Sequence, residues 1–399
     1  MKKILYIITA VAALCLSACG EKREVQTLNV YNWGEYISDG SEGTVNVNEE
    51  FEKYCLEELG KEVKVNYTTY ASNEDMYNKI KSGSASYDVI IPSEYMIEKM
   101  IEEDMLQKLD FSNIPNYEYI NDSFKNLFFD KNNEYCVPYT YGMVGIIYNS
   151  EMVDEEDIGS WDLLWNEKYK GQILQFNNPR DAFATAIYWA GEDVNTTEER
   201  VWIEAAEKLK KQKPLIQSYV MDEIFNKMKN GSAAVAPYYA GDFLTMRDSN
   251  ENLCFYYPKE GTNVFVDAMC IPMCARNKEL AEEYINFMLF DEIGIANAEY
   301  IAYASPNDNV RENEDYIADM TDWNEDVMDI LYGDSLDFEV SYYESLEPDT
   351  LMLQNSLWED LKIENSVEPW IYITSLSILL LIGGILLYNY IIKKIRDNY

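Results

Sequence analysis

The 399-residue sequence predicts an α/β fold, with strands and helices alternating around a parallel sheet. Two observations carry that expectation. Short apolar runs bounded by Pro, Gly and Ser, such as Tyr87-Asp-Val-Ile-Ile91, read as buried parallel strands. Between them lie runs with 3.6-residue apolar spacing, each long enough for a crossover helix.

Leu28-Asn-Val-Tyr-Asn32 reads as the first strand, with a turn at Trp33-Gly34. Residues 49–59 follow as a helix with Phe51, Cys55 and Leu59 on one face and Gly60 as its stop. Residues 63–69 alternate as a strand, and Ser72-Asn73-Glu74 caps a helix that Ser82-Gly83-Ser84 ends. After the strand at 87–91, Pro92-Ser93 leads into a helix over 94–103. Strands are expected at 141–148, 172–176, 252–257 and 264–271, the last two around Gly261. A short helix is expected at 161–165, and longer ones at 198–211, 222–229 and 278–290. Asn178-Pro179-Arg180-Asp181 opens another, with Pro in the first turn and an acid near the positive end of the dipole. Residues 310–365 read as helical and acidic, and 365–369 as a linker. No internal repeat or low-complexity segment interrupts the chain.

Both ends point to a membrane. Lys2 and Lys3 precede an apolar stretch over 4–16, and Leu16-Ser-Ala-Cys19 resembles a bacterial lipoprotein signal. The expectation is a signal peptide at 1–18, acylation of Cys19 and a lipidated linker over 19–27. Residues 370–392 form an apolar stretch that as a helix would span about 34 Å, enough to cross a hydrocarbon core. Trp370, Tyr372, Tyr388 and Tyr390 lie near its ends, and Lys393, Lys394 and Arg396 follow. A transmembrane helix with a cytoplasmic tail over 393–399 is therefore expected, the soluble region lying outside the cytoplasm.

Composition narrows the chemistry. The chain carries 71 Asp and Glu against 32 Lys and Arg, a formal charge of −39 that repels nucleic acid and attracts cations. No histidine is present, which removes Ser-His and Cys-His catalysis and the usual zinc sites. Cys55, Cys136, Cys254, Cys270 and Cys274 are an odd set without metal spacing, so neither a metal site nor a cofactor is expected. The 33 tyrosines and 8 tryptophans supply aromatic walls that, beside abundant carboxylates, suit organic cations.

Five segments place polar or aromatic residues where strands of such a sheet end, the edge at which ligands bind. They are Tyr31-Asn-Trp-Gly-Glu-Tyr36, Ile91-Pro-Ser-Glu-Tyr95, Asn178-Pro-Arg-Asp181, Tyr238-Tyr-Ala-Gly-Asp242 and Phe265-Val-Asp267. With Asn73-Glu-Asp-Met-Tyr77, Tyr257-Pro-Lys-Glu-Gly261 and Ala302-Tyr-Ala-Ser-Pro-Asn307, this ordered set resembles the spermidine/putrescine-binding proteins of ABC transporters over residues 28–362.

That resemblance implies a type II periplasmic-binding-protein fold: two α/β lobes joined by crossover strands and closing on ligand. Lobe 1 would comprise 28–143 and 266–311, and lobe 2 would comprise 144–265 and 312–364. It implies a polyamine ligand, delivery to a membrane permease, and no catalysis. Trp33, Tyr36, Ser93 and Tyr95 would line one wall, and Asn178, Asp181, Tyr239, Asp242, Phe265, Asp267 and Tyr303 the rest. A last, carboxamide-bearing position would fall at Glu344.

The chain departs from the family at several of these positions. Asn178 stands where spermidine binders carry the first of two acids. Tyr239 and Phe265 occupy positions where tryptophan is usual or common, and Asp242 resembles the putrescine-preferring branch. Three readings compete. Tyr238-Tyr239 fits ferric iron transport, Asp181 and Asp267 would be the acid and base of an anchored glycosidase, and a purely structural lipoprotein needs no site.

Overall fold

The computed structural model describes residues 25–333, 336, 338, 340–363, 377, 380–384 and 391–393. Strands β1 (Gln26–Trp33), β2 (Val63–Tyr70), β3 (Val89–Ile90), β4 (Cys136–Asn149), β5 (Ile173–Phe176), β6 (Ile216–Val220), β7 (Val235–Tyr239), β8 (Leu253–Tyr256) and β9 (Val264–Cys270) form one sheet. Its order is β2-β1-β3-β9-β4-β7-β5-β6, with β8 paired to β4.

The expected parallel sheet is parallel only in its outer parts: β1 with β2 and β3, and β5 with β6 and β7. At its centre β9 runs antiparallel to β3 and β4, and β4 antiparallel to β7 and β8. β4 changes partners along its length. Residues 136–143 pair with β9, whereas 144–148 pair with β7, so one strand serves both halves of the molecule.

Local chemistry explains the elements that position the cleft. Alternation buries Leu28 and Val30 completely in β1, and β3 buries Val89 and Ile90. Ser72 Oγ accepts from Asp75 N at 3.1 Å and starts the helix Asn73–Lys81. Asn178 Oδ1 accepts from Arg180 N at 2.9 Å, Pro179 occupies the first turn, and Gly191 with φ 71° ends the helix Pro179–Ala190. That helix buries Phe183 against Trp202 of the helix Glu199–Gln212, their ring centroids 5.6 Å apart. On the other side Phe51 packs edge-on to Tyr284 at 4.9 Å, joining the helices Val47–Glu57 and Lys278–Met288.

Some elements differ from expectation. β4 begins five residues before the predicted 141, because Pro138 is absorbed at a register shift between Pro138 and Thr140 instead of ending the strand. β3 shrinks to two residues. The sequence pattern marks no strand at β6 and marks β7 only by its end at Tyr238-Tyr239, and it does not mark the helices Ala240–Ser249 and Asp291–Ile301. The C-terminal stretch is helical at Asp308–Arg311, Glu314–Trp323, Val327–Tyr332 and Pro348–Lys362. It is not helical from Ser341 to Glu347.

The expected signal peptide at 1–18 and Cys19 lie outside the described residues, as does most of the expected span at 370–392. Among the described residues no helix is long and apolar enough to cross a membrane. Within that stretch, residues 380–384 and 391–392 are helical, and Leu380, Leu381, Ile382, Ile391 and Ile392 are exposed.

A buried acidic and aromatic cleft

The ends of four strands and the flank of a fifth converge on one cleft. Trp33 ends β1, Ser93 follows β3, Asn178 follows β5, Tyr239 ends β7, and Phe265 and Asp267 lie along β9. The cleft encloses about 100 Å³, a narrow slot suited to a slender chain.

Three aspartates are set in it, each approached by neutral donors. Asp267 accepts from Ser93 Oγ and from Tyr36 Oη, both at 2.6 Å, and Tyr36 Oη also lies 2.6 Å from Thr140 Oγ1. Asp181 accepts from Tyr239 Oη at 2.7 Å, Asn178 Nδ2 at 2.8 Å and Tyr343 Oη at 3.2 Å. Asp242 accepts from Tyr303 Oη at 3.0 Å. None of the three forms an ion pair among the described residues. Burial pushes the carboxyls of Asp181 and Asp267 up to about 6 and that of Asp242 up to about 7, with the hydroxyl donors pulling the other way.

Aromatic rings close the walls. Tyr239 and Phe265 meet edge to face at 5.4 Å, Tyr36 and Tyr303 at 5.3 Å, and Trp33 lies 4.7 Å from Tyr70. Tyr95 is held from behind: its hydroxyl donates to Glu74 Oε1 at 3.1 Å and accepts from Asn73 Nδ2 at 3.0 Å. Gly241 lets the wall close, since a Cβ there would fall 2.3 Å from Ala302 O and 2.7 Å from the Tyr303 ring.

Eleven of the expected residues, Trp33, Tyr36, Ser93, Tyr95, Asn178, Asp181, Tyr239, Asp242, Phe265, Asp267 and Tyr303, line this cleft together. Glu344 does not. Its side chain is exposed while its carbonyl accepts from Arg180 Nη2 at 3.1 Å, and the preceding Tyr343 faces Asp181 instead. Tyr343 is buried and Glu344 exposed, so an offset of one residue exchanges the cleft for solvent.

Residues that the sequence did not single out also line the cleft. Glu94 is completely buried. Arg180 lies at the same end, its guanidinium 4.6 Å from the Tyr343 ring. Asp222 reaches over Gly34, where a Cβ would lie 3.6 Å from its Oδ2. Glu94 falls between the recognised Ser93 and Tyr95, and Asp222 follows β6, a strand that the sequence pattern does not mark, so neither carries a signal of its own in the sequence.

The chemistry suits a cation with apolar segments, since carboxylates alternate with ring faces. Iron suits it less. Burial holds the Tyr238 and Tyr239 phenols well above their usual pKa, against the phenolate that a ferric ligand needs. Among the described residues no group of three or more Cys, Asp or Glu could hold a metal.

Residues 84–328 match the family described as bacterial extracellular solute-binding protein. The chain is 35% identical over 311 residues to the spermidine/putrescine-binding periplasmic protein of Salmonella typhimurium, covering 77% of this chain and 85% of that protein. Among solved structures, an ABC transporter protein from Listeria monocytogenes superposes with a TM-score of 0.76 at 34% identity, over 85% of this chain and 99% of that one. The spermidine/putrescine ABC transporter substrate-binding protein of Streptococcus pneumoniae gives 0.66 at 35% identity, over 84% and 98%.

Proposed function

Since this chain belongs to the bacterial extracellular solute-binding proteins, we propose that it captures a linear polyamine such as putrescine or spermidine and hands it to an ABC transporter permease. The observation that carries this reading is the set of three aspartates, Asp181 and Asp267 buried and Asp242 half-buried, each hydrogen-bonded to neutral donors and none to a cation, inside an aromatic slot. Buried carboxylates without a counter-charge are costly, and ammonium groups supply one. Methylenes between the ammoniums fit the faces of Trp33, Tyr95, Tyr239 and Phe265, each ring–cation contact contributing about 0.5–2 kcal/mol when desolvated.

The change of partner along β4 supports a division into lobe 1 (28–143 and 266–311) and lobe 2 (144–265 and 312–364), with the ligand between them. The sequence supports two tethers, acylated Cys19 and a membrane helix over 370–392 with the C-terminus in the cytoplasm. Held in this way, the protein works on the extracytoplasmic face beside its permease.

Isothermal titration calorimetry with putrescine, spermidine and spermine tests the reading, with glutamate as the control. Saturable binding of at least one polyamine and none of glutamate is expected. Heat from glutamate alone would overturn it.

A further inference from the structure

Glu94 begins the helix Glu94–Glu102 between two cleft residues, and its side chain is completely buried. Its Oε2 accepts from the backbone N of Val266 at 2.9 Å, one residue before Asp267 on β9. Its Oε1 has no hydrogen-bond partner among the described residues, although Glu94 bounds the cleft. A buried carboxyl oxygen left bare is costly unless a proton or a group from outside the chain meets it.

Arg180 is the cation at the same end. Its Nη1 and Nη2 donate to Val194 O, Asn195 Oδ1 and Glu344 O, and no ion pair within 4.0 Å joins it to Glu94. The two terminal nitrogens are thus committed to the 194–195 and 344 segments, while Nε, also buried, has no partner among the described residues and makes no hydrogen bond to Glu94.

We propose that Glu94 is a further ligand-binding carboxylate, whose Oε1 takes an ammonium of the polyamine beside Asp267 and supplies the acid that Asn178 lacks. The inference rests on the polyamine reading. Burial pushes the Glu94 carboxyl up to about 8, with Asp267 adding to the rise and Arg180 opposing it; Tyr342 also faces it. In the empty cleft at pH 7 Glu94 therefore holds a proton, which an arriving ammonium displaces.

The test is calorimetry of the full chain with spermidine at pH 7 in two buffers of different ionisation enthalpy, comparing wild type with Glu94→Gln. Glutamine retains an oxygen for Val266 N–H, so the melting temperature without ligand should stay within about 2 °C. The variant should bind at least tenfold more weakly, and the number of protons released on binding should fall. Unchanged affinity and proton count, with wild type binding normally, would overturn this inference alone. A wild type that binds no polyamine overturns the functional reading and this inference with it. Should Glu94→Gln fail to fold, the Glu94 carboxyl carbon of labelled wild type is followed by NMR at pH 7. A shift to the ionised position on adding spermidine supports the proposal, and an unmoved resonance overturns it.

Discussion

Asp267 accepts the shortest hydrogen bonds of the three cleft aspartates, from two hydroxyls at 2.6 Å, and has almost no exposure. Asp267→Asn keeps the shape and removes the charge that a buried ammonium needs, so calorimetry should register a loss of about 3–5 kcal/mol in polyamine binding. Titration gives a second expectation. The carboxyls of Asp181, Asp267 and Asp242 are raised by burial to about 6, 6 and 7, so the empty folded protein holds these protons more tightly than the unfolded chain does. Their contribution to stability is most favourable below the unfolded carboxyl range and declines as pH rises through about 4 to 7. Ligand reverses the preference, because ammonium favours the ionised form. Affinity should therefore weaken as pH falls from 8 to 5, and the melting-temperature rise caused by spermidine should be larger at pH 8 than at pH 5. A pH-independent affinity would contradict this. At this scale the sequence revealed residues at strand ends, such as Asp181 and Tyr239, because chain position and chemistry coincide there. It concealed Arg180 and Tyr343, whose positions relative to the cleft depend on how the Pro179–Ala190 helix and the 342–344 segment pack.

Among elements, β7 passes directly into the helix Ala240–Ser249 with no residue between them. Gly241 lies where a methyl would meet the carbonyl of Ala302 at 2.3 Å, a backbone atom that cannot swing aside. Gly241→Ala should cost about 1–3 kcal/mol of stability by overpacking, read from thermal or urea unfolding. It should also push Tyr303 off Asp242, so that affinity falls more than a loss of stability alone explains. The same stretch shows where element prediction succeeds and fails. β1 and β5 were legible as apolar runs beside turn residues. β6, Ile-Gln-Ser-Tyr-Val, mixes polar and apolar positions because it is an edge strand with only Val220 fully buried, so it lacked the continuous apolar signal. β4 carries a proline that usually ends a strand, and the register shift beside it is a tertiary accommodation that local pattern does not contain.

For the whole molecule, the charge of −39 sets up a long-range attraction for any cation, but the cleft carboxylates are enclosed and the surface acids are not. Salt screens the second kind much more than the first. Polyamine affinity should therefore change by less than about tenfold between 0.05 and 0.5 M salt. A steeper fall would mark loose counter-ion binding.

Because β4 is a single strand bonded to β9 up to Met143 and to β7 from Val144, the two halves of the sheet are not hung on a slack connector. A hydrogen-bonded ribbon is stiff against bending within its own plane and yields more readily to torsion about its length. Widening the slot would thus be a twist, wringing the β4–β9 ribbon, more than a jaw-like swing. Spin labels on opposite rims should then report a lateral displacement on ligand release that is comparable to the change in gap, and the recoil of that ribbon would favour returning the aromatic walls to contact.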